Sequence, residues 1–297
     1  MLWFFCTGFK LFVLFARFVV KFLLLCYYNR MRNRLTDELA VCGMNAVMAI
    51  SEHHPQIINR LFLREDRFDS FTFVCKQLAE RKRPYKICED AELERISKSV
   101  HHQGVVAMIE EPVIEPLSLE DLEIWANEGK TGVILNSIGN DHNLGAIARA
   151  SAFFDVSFIV LNEKDASFKT EYSDDVRLTT SAYRVAEGAF EHLTVRRISN
   201  TAAFLKDASK RIITIGTDTR ARMRIGDLSG IIEKFKTKRR LSSRPGIALI
   251  LGNEETGLPK DVKDQCSSLL RIPGTGSIES LNVSQAASLF LHAIYEL

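Results

Sequence analysis

The C-terminal half of the chain alternates short apolar runs with segments whose apolar residues recur at helical spacing. Apolar runs predict strands at residues 133–136, 156–161, 194–198, 211–215, 247–251 and 269–272. Helical spacing predicts helices at residues 143–154, 183–192, 201–210 and 281–297. Continuous apolar strands separated by helices favour an α/β fold with a mostly parallel sheet that is covered on both faces. Ligands of such sheets bind at the carboxyl ends of the strands.

The preceding part of the chain shows a shorter alternation of the same kind. Helices are predicted at residues 42–53, 68–81 and 90–97, and strands at 58–63, 85–88 and 105–109. Two prolines and several acidic residues follow at 110–117, which is typical of a linker. We therefore predict a small α/β module at 35–110, a linker at 111–128 and a second domain at 129–297.

Residues 1–34 form a separate apolar N-terminal segment, with seven phenylalanines between positions 2 and 28. Lys10, Arg17 and Lys21 disfavour a membrane span, because each cation at the centre of a helix costs about 2.5–3.5 kcal/mol. Their shared helical face is typical of an anchor lying in the membrane surface. A signal peptide is disfavoured because no small-residue cleavage site follows. Met31 leaves open a second interpretation, in which this segment is an artefact of an upstream start.

Composition excludes several function classes. The 39 basic and 37 acidic residues give a net charge of +2, so any attraction to a polyanion must be local. The six cysteines lack the paired spacing of a zinc site, and the histidine pairs lack a third ligand, so no metal is predicted. We interpret the cysteines as reduced thiols, which predicts a cytoplasmic protein.

One local run of charge is a candidate RNA-binding surface. It precedes the strand at 247–251 and contains Lys234, Lys236, Lys238, Arg239 and Arg240. Clustered cations of this kind bind phosphates without sequence preference. The alternative is a solvated loop with no ligand.

Three polar, glycine-containing turns follow predicted strands. They are NDHNLGAIAR at 140–149, LGNEETGLP at 251–259 and RIPGTGSIESLNVS at 271–284. None is a G-x-G-x-x-G fingerprint or a P-loop, so dinucleotide and P-loop chemistry lose their main support. The chemistry of the domain should therefore lie in these three turns.

The three turns, in this order, resemble the motifs of the SpoU/TrmH branch of the SPOUT RNA methyltransferases. Residues 38–110 resemble the small RNA-binding module of the same family. The resemblance implies a C-terminal trefoil knot, an exception to the rule against threaded chains. It also implies a homodimer that transfers methyl from S-adenosylmethionine to a ribose 2′-hydroxyl of tRNA or rRNA.

The resemblance further assigns site residues. Cofactor-binding positions are Leu251, Gly252, Asn253, Ile272, Ser280, Leu281 and Asn282; catalytic positions are Arg149, Asn143 and Glu254. Arginine is a poor general base, because its pKa exceeds about 12. We therefore predict that Arg149 binds phosphate and stabilises the developing alkoxide, while the family's proposal of a base stays open.

Departures from the family pattern leave other functions open. Asn136 stands where many relatives have Asp, Gly274 where a bulkier residue is common, and Glu255-Thr256 where smaller or basic residues are common. A catalytically silent RNA-binding protein of the same fold is the main alternative. A membrane-associated interaction protein built around the N-terminal segment is another.

Overall fold

A computed structural model describes residues 38–163 and 177–297 of the chain. The apolar N-terminal segment 1–34, with its two open interpretations, lies outside the described residues. Within the described ranges, every helix is too short or too polar to cross a membrane.

The small α/β module is built on a four-stranded sheet of order β1-β4-β2-β3. Its strands are β1 (Glu38–Cys42), β2 (Ile58–Leu63), β3 (Tyr85–Ile87) and β4 (Val105–Glu110), and its helices are α1 (Met44–His53), α2 (Phe68–Glu80) and α3 (Asp90–Ser97). Strand β2 runs antiparallel to β4 and parallel to β3. The predicted alternation of helices and strands is confirmed in this part of the chain.

The C-terminal part of the chain forms a seven-stranded sheet of order β7-β6-β5-β10-β8-β11-β9. Its strands are β5 (Thr131–Asn136), β6 (Phe158–Asn162), β7 (Thr194–Ile198), β8 (Ile213–Thr217), β9 (Met223–Arg224), β10 (Ile247–Gly252) and β11 (Ser268–Arg271). Every pairing in this sheet is parallel, which confirms the predicted α/β class.

Seven helices accompany this sheet in the described residues. They are α4 (Leu119–Asn127), α5 (Asp141–Phe153), α6 (Thr180–Ala186), α7 (Thr201–Ala208), α8 (Leu228–Arg239), α9 (Lys260–Lys263) and α10 (Val283–Tyr295). Strand β10 lies at the centre of the sheet between β5 and β8, and all six of its residues are buried. The carboxyl ends of β5, β8, β10 and β11 therefore meet at one edge of the sheet, where the loops that follow them gather.

The segment predicted as a linker contains helix α4. A capping box starts this helix: Ser118 Oγ accepts the Asp121 N–H at 3.0 Å, and Asp121 Oδ2 accepts the Ser118 N–H at 2.9 Å. Trp125 is fully buried and donates from Nε1 to the Ile247 carbonyl at 3.0 Å. A Cβ at Gly132 would lie 2.2 Å from the Trp125 ring. Segment 111–128 thus contributes a helix to the packing of the large sheet.

Candidate active site at the carboxyl ends of the central strands

A cleft of about 820 Å³ lies beyond the carboxyl ends of β8, β10 and β11. Five of the seven predicted cofactor residues line it: Gly252, Asn253, Ile272, Ser280 and Leu281. Leu251 is instead fully buried within β10. Asn282 begins α10, where its Oδ1 accepts the Ser284 N–H at 2.8 Å. The structure thus gathers two sequence-distant turns around one cavity.

The turn after β10 requires glycine where two segments of backbone approach each other. A Cβ at Gly252 would lie 2.5 Å from the carbonyl carbon of Gly257 and 2.6 Å from the nitrogen of Leu258. Real Cβ atoms do not approach backbone this closely, so any larger residue would displace the turn. Gly257 itself has φ +66°, a conformation that side chains rarely adopt.

Asn253 holds the same turn rigid through its side chain. Its Oδ1 accepts the N–H groups of Glu255 and Thr256, each at 3.0 Å. Its Nδ2 donates to the Ser137 carbonyl at 2.9 Å. This last bond ties the turn after β10 to the turn after β5.

A chain of hydrogen bonds joins one residue from each of the three motifs. Asn282 Nδ2 donates to Asn143 Oδ1 at 3.2 Å, and Asn143 Nδ2 donates to Glu254 Oε1 at 2.5 Å. The Gly139 N–H faces Glu254 Oε2 at 3.5 Å. Asn143 is 9% exposed, so little water competes for these bonds. The network fixes the Glu254 carboxylate at the mouth of the cleft.

Arg149, the third predicted catalytic residue, lies apart from this network. Its Nη1 forms an ion pair of 2.8 Å with Glu187 Oε1, and its side chain is 60% exposed. It lines a second, open groove of about 340 Å³ together with Phe153, Phe154 and Val185. In the described structure, Arg149 therefore forms no hydrogen bond or ion pair with Asn143 or Glu254.

Four residues at the end of β8 and directly after it line the cleft but were not predicted as site residues: Thr217, Asp218, Thr219 and Arg220. Asp218 Oδ2 pairs with Lys263 Nζ at 2.7 Å. Burial alone would raise the pKa of the Asp218 carboxyl, but Lys263 and the Arg220 N–H outweigh burial and lower it. Their position in the sequence could have indicated them, because they lie at the carboxyl end of a predicted strand, where ligands of parallel sheets bind.

Cys266 precedes β11, and burial changes the acidity of its thiol. Burial raises the pKa of the Cys266 thiol to about 12, so it stays protonated near neutral pH. Across residues 38–163 and 177–297, no three histidine, cysteine or acidic side chains are grouped as metal ligands.

The basic run predicted to bind RNA lies on and just after helix α8. Lys236 pairs with Glu233 at 3.1 Å, and the Arg239 guanidinium lies 5.7 Å from the centre of the Phe235 ring. Arg240 follows the helix with φ +55°. Most of these cations therefore lie on a helix, whereas the sequence alone also allowed a solvated loop.

Comparison with known proteins identifies both parts of the chain. Residues 130–292 match the SpoU rRNA Methylase family, and residues 40–113 match the RNA 2′-O ribose methyltransferase substrate binding family. A putative TrmH family tRNA/rRNA methyltransferase, YacO of Bacillus subtilis, is 33% identical over 198 residues, covering 65% of this chain and 70% of YacO. The 23S rRNA (guanosine-2′-O-)-methyltransferase RlmB of Pseudomonas aeruginosa is 29% identical, covering 86% of this chain and 94% of RlmB.

Solved structures show the same fold at lower identity. An rRNA methyltransferase from Sinorhizobium meliloti aligns with a TM-score of 0.64 at 20% identity, over 89% of this chain and 88% of that one. The SpoU methyltransferase AviRb from Streptomyces viridochromogenes, in complex with the cofactor AdoMet, aligns with a TM-score of 0.63 at 18% identity, over 88% and 90%. Because residues 130–292, more than half of the chain, match the model of the SpoU rRNA methylase family, the chain belongs to that family.

Proposed function

We propose that this protein transfers the methyl group of S-adenosylmethionine to a ribose 2′-hydroxyl of rRNA or tRNA. The hydrogen-bond network of Asn143, Glu254 and Asn282 carries the proposal, because it joins all three family motifs at one cleft. The name of RlmB gives 2′-O-methylation of a guanosine in 23S rRNA, and the name of YacO gives a tRNA/rRNA methyltransferase, which supports the proposal.

The cleft fits S-adenosylmethionine in size and chemistry. Its volume of about 820 Å³ lies in the range of about 300–1,000 Å³ that is usual for small-molecule sites. Ile272, Leu281 and Phe290 offer apolar surface for a base, while Glu254 offers negative charge to a cationic ligand. The Gly252 turn offers backbone groups at close range. When bound, the cofactor supplies an electrophilic methyl group on a sulfonium centre.

We assign separate tasks to the predicted catalytic residues. Asn143 holds the Glu254 carboxylate in one orientation, which places an acceptor for the ribose hydroxyl beside the cleft. Arg149 binds an RNA phosphate and stabilises the negative charge that develops on the attacking oxygen. Its guanidinium donates hydrogen bonds and accepts none, so it supports this role better than that of a base.

We further propose that the three segments of the chain have different functions. The module at 35–110 engages the RNA, the segment 111–128 connects it to the catalytic domain, and the domain at 129–297 performs the chemistry. Lys234, Lys236, Lys238, Arg239 and Arg240 add phosphate contacts from α8 and its C-terminal end. The free thiols of Cys42, Cys75 and Cys88 support a reducing, cytoplasmic setting.

The active form is proposed to be a homodimer whose C-terminal third forms a trefoil knot. Phe153 is 80% exposed beside the groove that Arg149 lines, and an exposed aromatic of this kind is typical of an interface. A second copy seated there would bring Arg149 to the interface. The knot is supported by late strands, β10 and β11, that lie between earlier ones in the sheet.

The test is transfer of labelled methyl to unmodified rRNA and tRNA, separated by size after the reaction. We expect label in one fraction with the unaltered chain, and none with Arg149→Ala. Cofactor affinity, measured by calorimetry, should survive Arg149→Ala. A folded chain that binds RNA but neither binds S-adenosylmethionine nor transfers methyl would instead be the catalytically silent member of the fold.

A further inference from the structure

The carboxylate of Glu187 connects the two parts of the chain. Its Oε1 pairs with Arg149 Nη1 at 2.8 Å, and its Oε2 accepts a hydrogen bond from Asn45 Nδ2 at 3.1 Å. Arg149 belongs to α5 of the large sheet domain, whereas Asn45 belongs to α1 of the small module. A single acidic side chain therefore contacts both the proposed catalytic arginine and the substrate module.

The backbone holds this carboxylate in place independently of RNA. Glu187 ends α6 in the left-handed conformation, with φ +49°, and Gly188 follows with φ +92°. A Cβ at Gly188 would lie 2.6 Å from the Cβ of Ala49, so α1 packs directly on this turn. A Cβ at Gly145 would lie 2.6 Å from the Ala182 carbonyl, so α6 also packs tightly on α5.

The contact restricts an otherwise solvated arginine. An exposed arginine samples many rotamers, and fixing one of them costs conformational entropy when a ligand binds. Glu187 engages Nη1, and it is the one ion-pair partner of the Arg149 guanidinium within residues 38–163 and 177–297. Nε and Nη2 thus stay available to a phosphate. Because the pair is largely exposed, it contributes little to folding stability.

We propose that Glu187 is a positioning residue: it orients Arg149 for catalysis, and Asn45 couples that orientation to docking of the substrate module. This inference rests on the proposed function, since it assigns Arg149 its role in methyl transfer. Glu187 itself does not contact substrate or cofactor. It acts by reducing the rotamers of Arg149 before the RNA arrives.

The test exchanges the polar groups across the contact. Glu187→Gln removes the charge beside Arg149 and leaves one acceptor oxygen where the carboxylate offers two, so Arg149 and Asn45 can no longer both be engaged. We expect kcat for methyl transfer to fall about tenfold, with KM for S-adenosylmethionine unchanged. The double variant Asn45→Asp/Glu187→Gln restores an acceptor at position 45 for the new amide. It should recover kcat to within about threefold of the unaltered enzyme.

Glu191→Gln is the matched control. Glu191 contacts His54 at the same junction between the module and the 189–192 turn, without touching Arg149. This variant should leave kcat of the folded enzyme unchanged. Its melting temperature should fall, because the Glu191 side chain is only 5% exposed and loses a buried partner, whereas the Glu187 variants should melt close to the unaltered chain.

The outcomes separate this inference from the proposed function. If the unaltered chain transfers methyl and Glu187→Gln is equally active or faster, Glu187 does not position Arg149. If the double variant is no better than Glu187→Gln alone, the coupling through Asn45 is wrong. If the unaltered chain transfers no methyl to any RNA, the proposed function fails, and the role of Glu187 in orienting Arg149 fails with it.

Discussion

The amide nitrogen of Asn143 donates a hydrogen bond of 2.5 Å to Glu254 Oε1, joining residues that lie 111 positions apart in the sequence. The contact exists because β5 and β10 are neighbours and end in register, with Asn136 opposite Gly252. The turns that follow both strands therefore start from the same edge. In the proposed reaction, this bond sets the direction in which the carboxylate faces the cleft.

Removal of this amide should impair catalysis more than folding. Asn143→Ala removes the side-chain donor of the Glu254 carboxylate, and we expect the free energy of unfolding to fall by about 1–3 kcal/mol. Methyl transfer should drop by at least about tenfold beyond any loss of folded protein. Urea unfolding and single-turnover kinetics measure the two effects.

Asn200→Ala provides the matched control for that variant. Asn200 begins α7, where its Oδ1 accepts the Ala203 N–H at 2.9 Å, away from the cleft. Loss of this cap should cost about 1 kcal/mol with no change in kcat. Equal loss of activity in both variants would show that Asn143 acts only through stability.

Gly252→Ala should abolish cofactor binding. The added Cβ meets only backbone atoms of Gly257 and Leu258, which cannot rotate away, so the turn must move. Calorimetry with S-adenosylmethionine should detect no binding. Gly230→Ala, in helix α8 with open space around its Cβ, should bind normally and unfold at a slightly higher temperature. Normal affinity in Gly252→Ala would remove this turn from the cofactor site.

The Asp218–Lys263 pair should make stability depend on pH in the acid range. The pKa of Asp218 is lower in the folded chain, so the stability it adds is complete above the unfolded value of about 3.9. That stability is lost as the pH falls through the folded pKa. Unfolding by urea between pH 2 and about 6 should show a smaller acid loss in Asp218→Asn than in the unaltered chain. Superimposable pH curves would contradict this role.

Neutralising the basic cluster should weaken RNA binding in a salt-dependent way. The triple variant Lys238→Gln/Arg239→Gln/Arg240→Gln should reduce the slope of log affinity against log salt concentration by roughly 2–3. Neutralising Lys206, Lys210 and Arg211 removes the same charge on and after α7 and serves as the control. Identical slopes in the two variants would show that the cluster is a solvated surface that does not bind RNA specifically.

Phe153→Glu should separate the proposed dimer. Phe153 is 80% exposed, so the substitution costs the monomer little, whereas a carboxylate buried against a second copy is strongly unfavourable. Sedimentation velocity should show a dimer for the unaltered chain and a monomer for this variant. Phe73→Glu, on α2 with Phe73 62% exposed, should stay dimeric. A monomeric unaltered chain would contradict the dimer directly.

Apolar periodicity predicted the parallel sheet because buried strands such as β10 need apolar residues on both faces. It failed at residues 183–192, where the predicted helix ends at Ala186. Glu187 and Gly188 both adopt positive φ there, and only the glycine gave a sequence signal for that stop. Apolar periodicity also failed to predict α4. The capping box of this helix at Ser118 follows two prolines, which led to the prediction of a linker.

The site was predictable only where the chemistry is concentrated in motifs. Glu254 and Asn282 were predicted as site residues from the turns that carry them, and the structure joins both to Asn143. The residues after β8 belong to no motif, so only the rule about strand ends could have found Asp218. Arg149 and Asn143 both lie on α5, where their offset of six residues separates them by about 9 Å along the helix axis. The ion pair of Arg149 with Glu187 was not predictable, because it depends on how α5 packs on α6.

The central position of β10 bears on how the protein is made. β10 is synthesised after β5 and β8, yet it lies between them and pairs with both. Until Ile247–Gly252 has left the ribosome, the apolar strands β5 and β8 of the nascent chain lack the strand that pairs with both of them. Chains that stop before this strand should therefore aggregate or be degraded, and the large domain should complete its folding only near the end of translation.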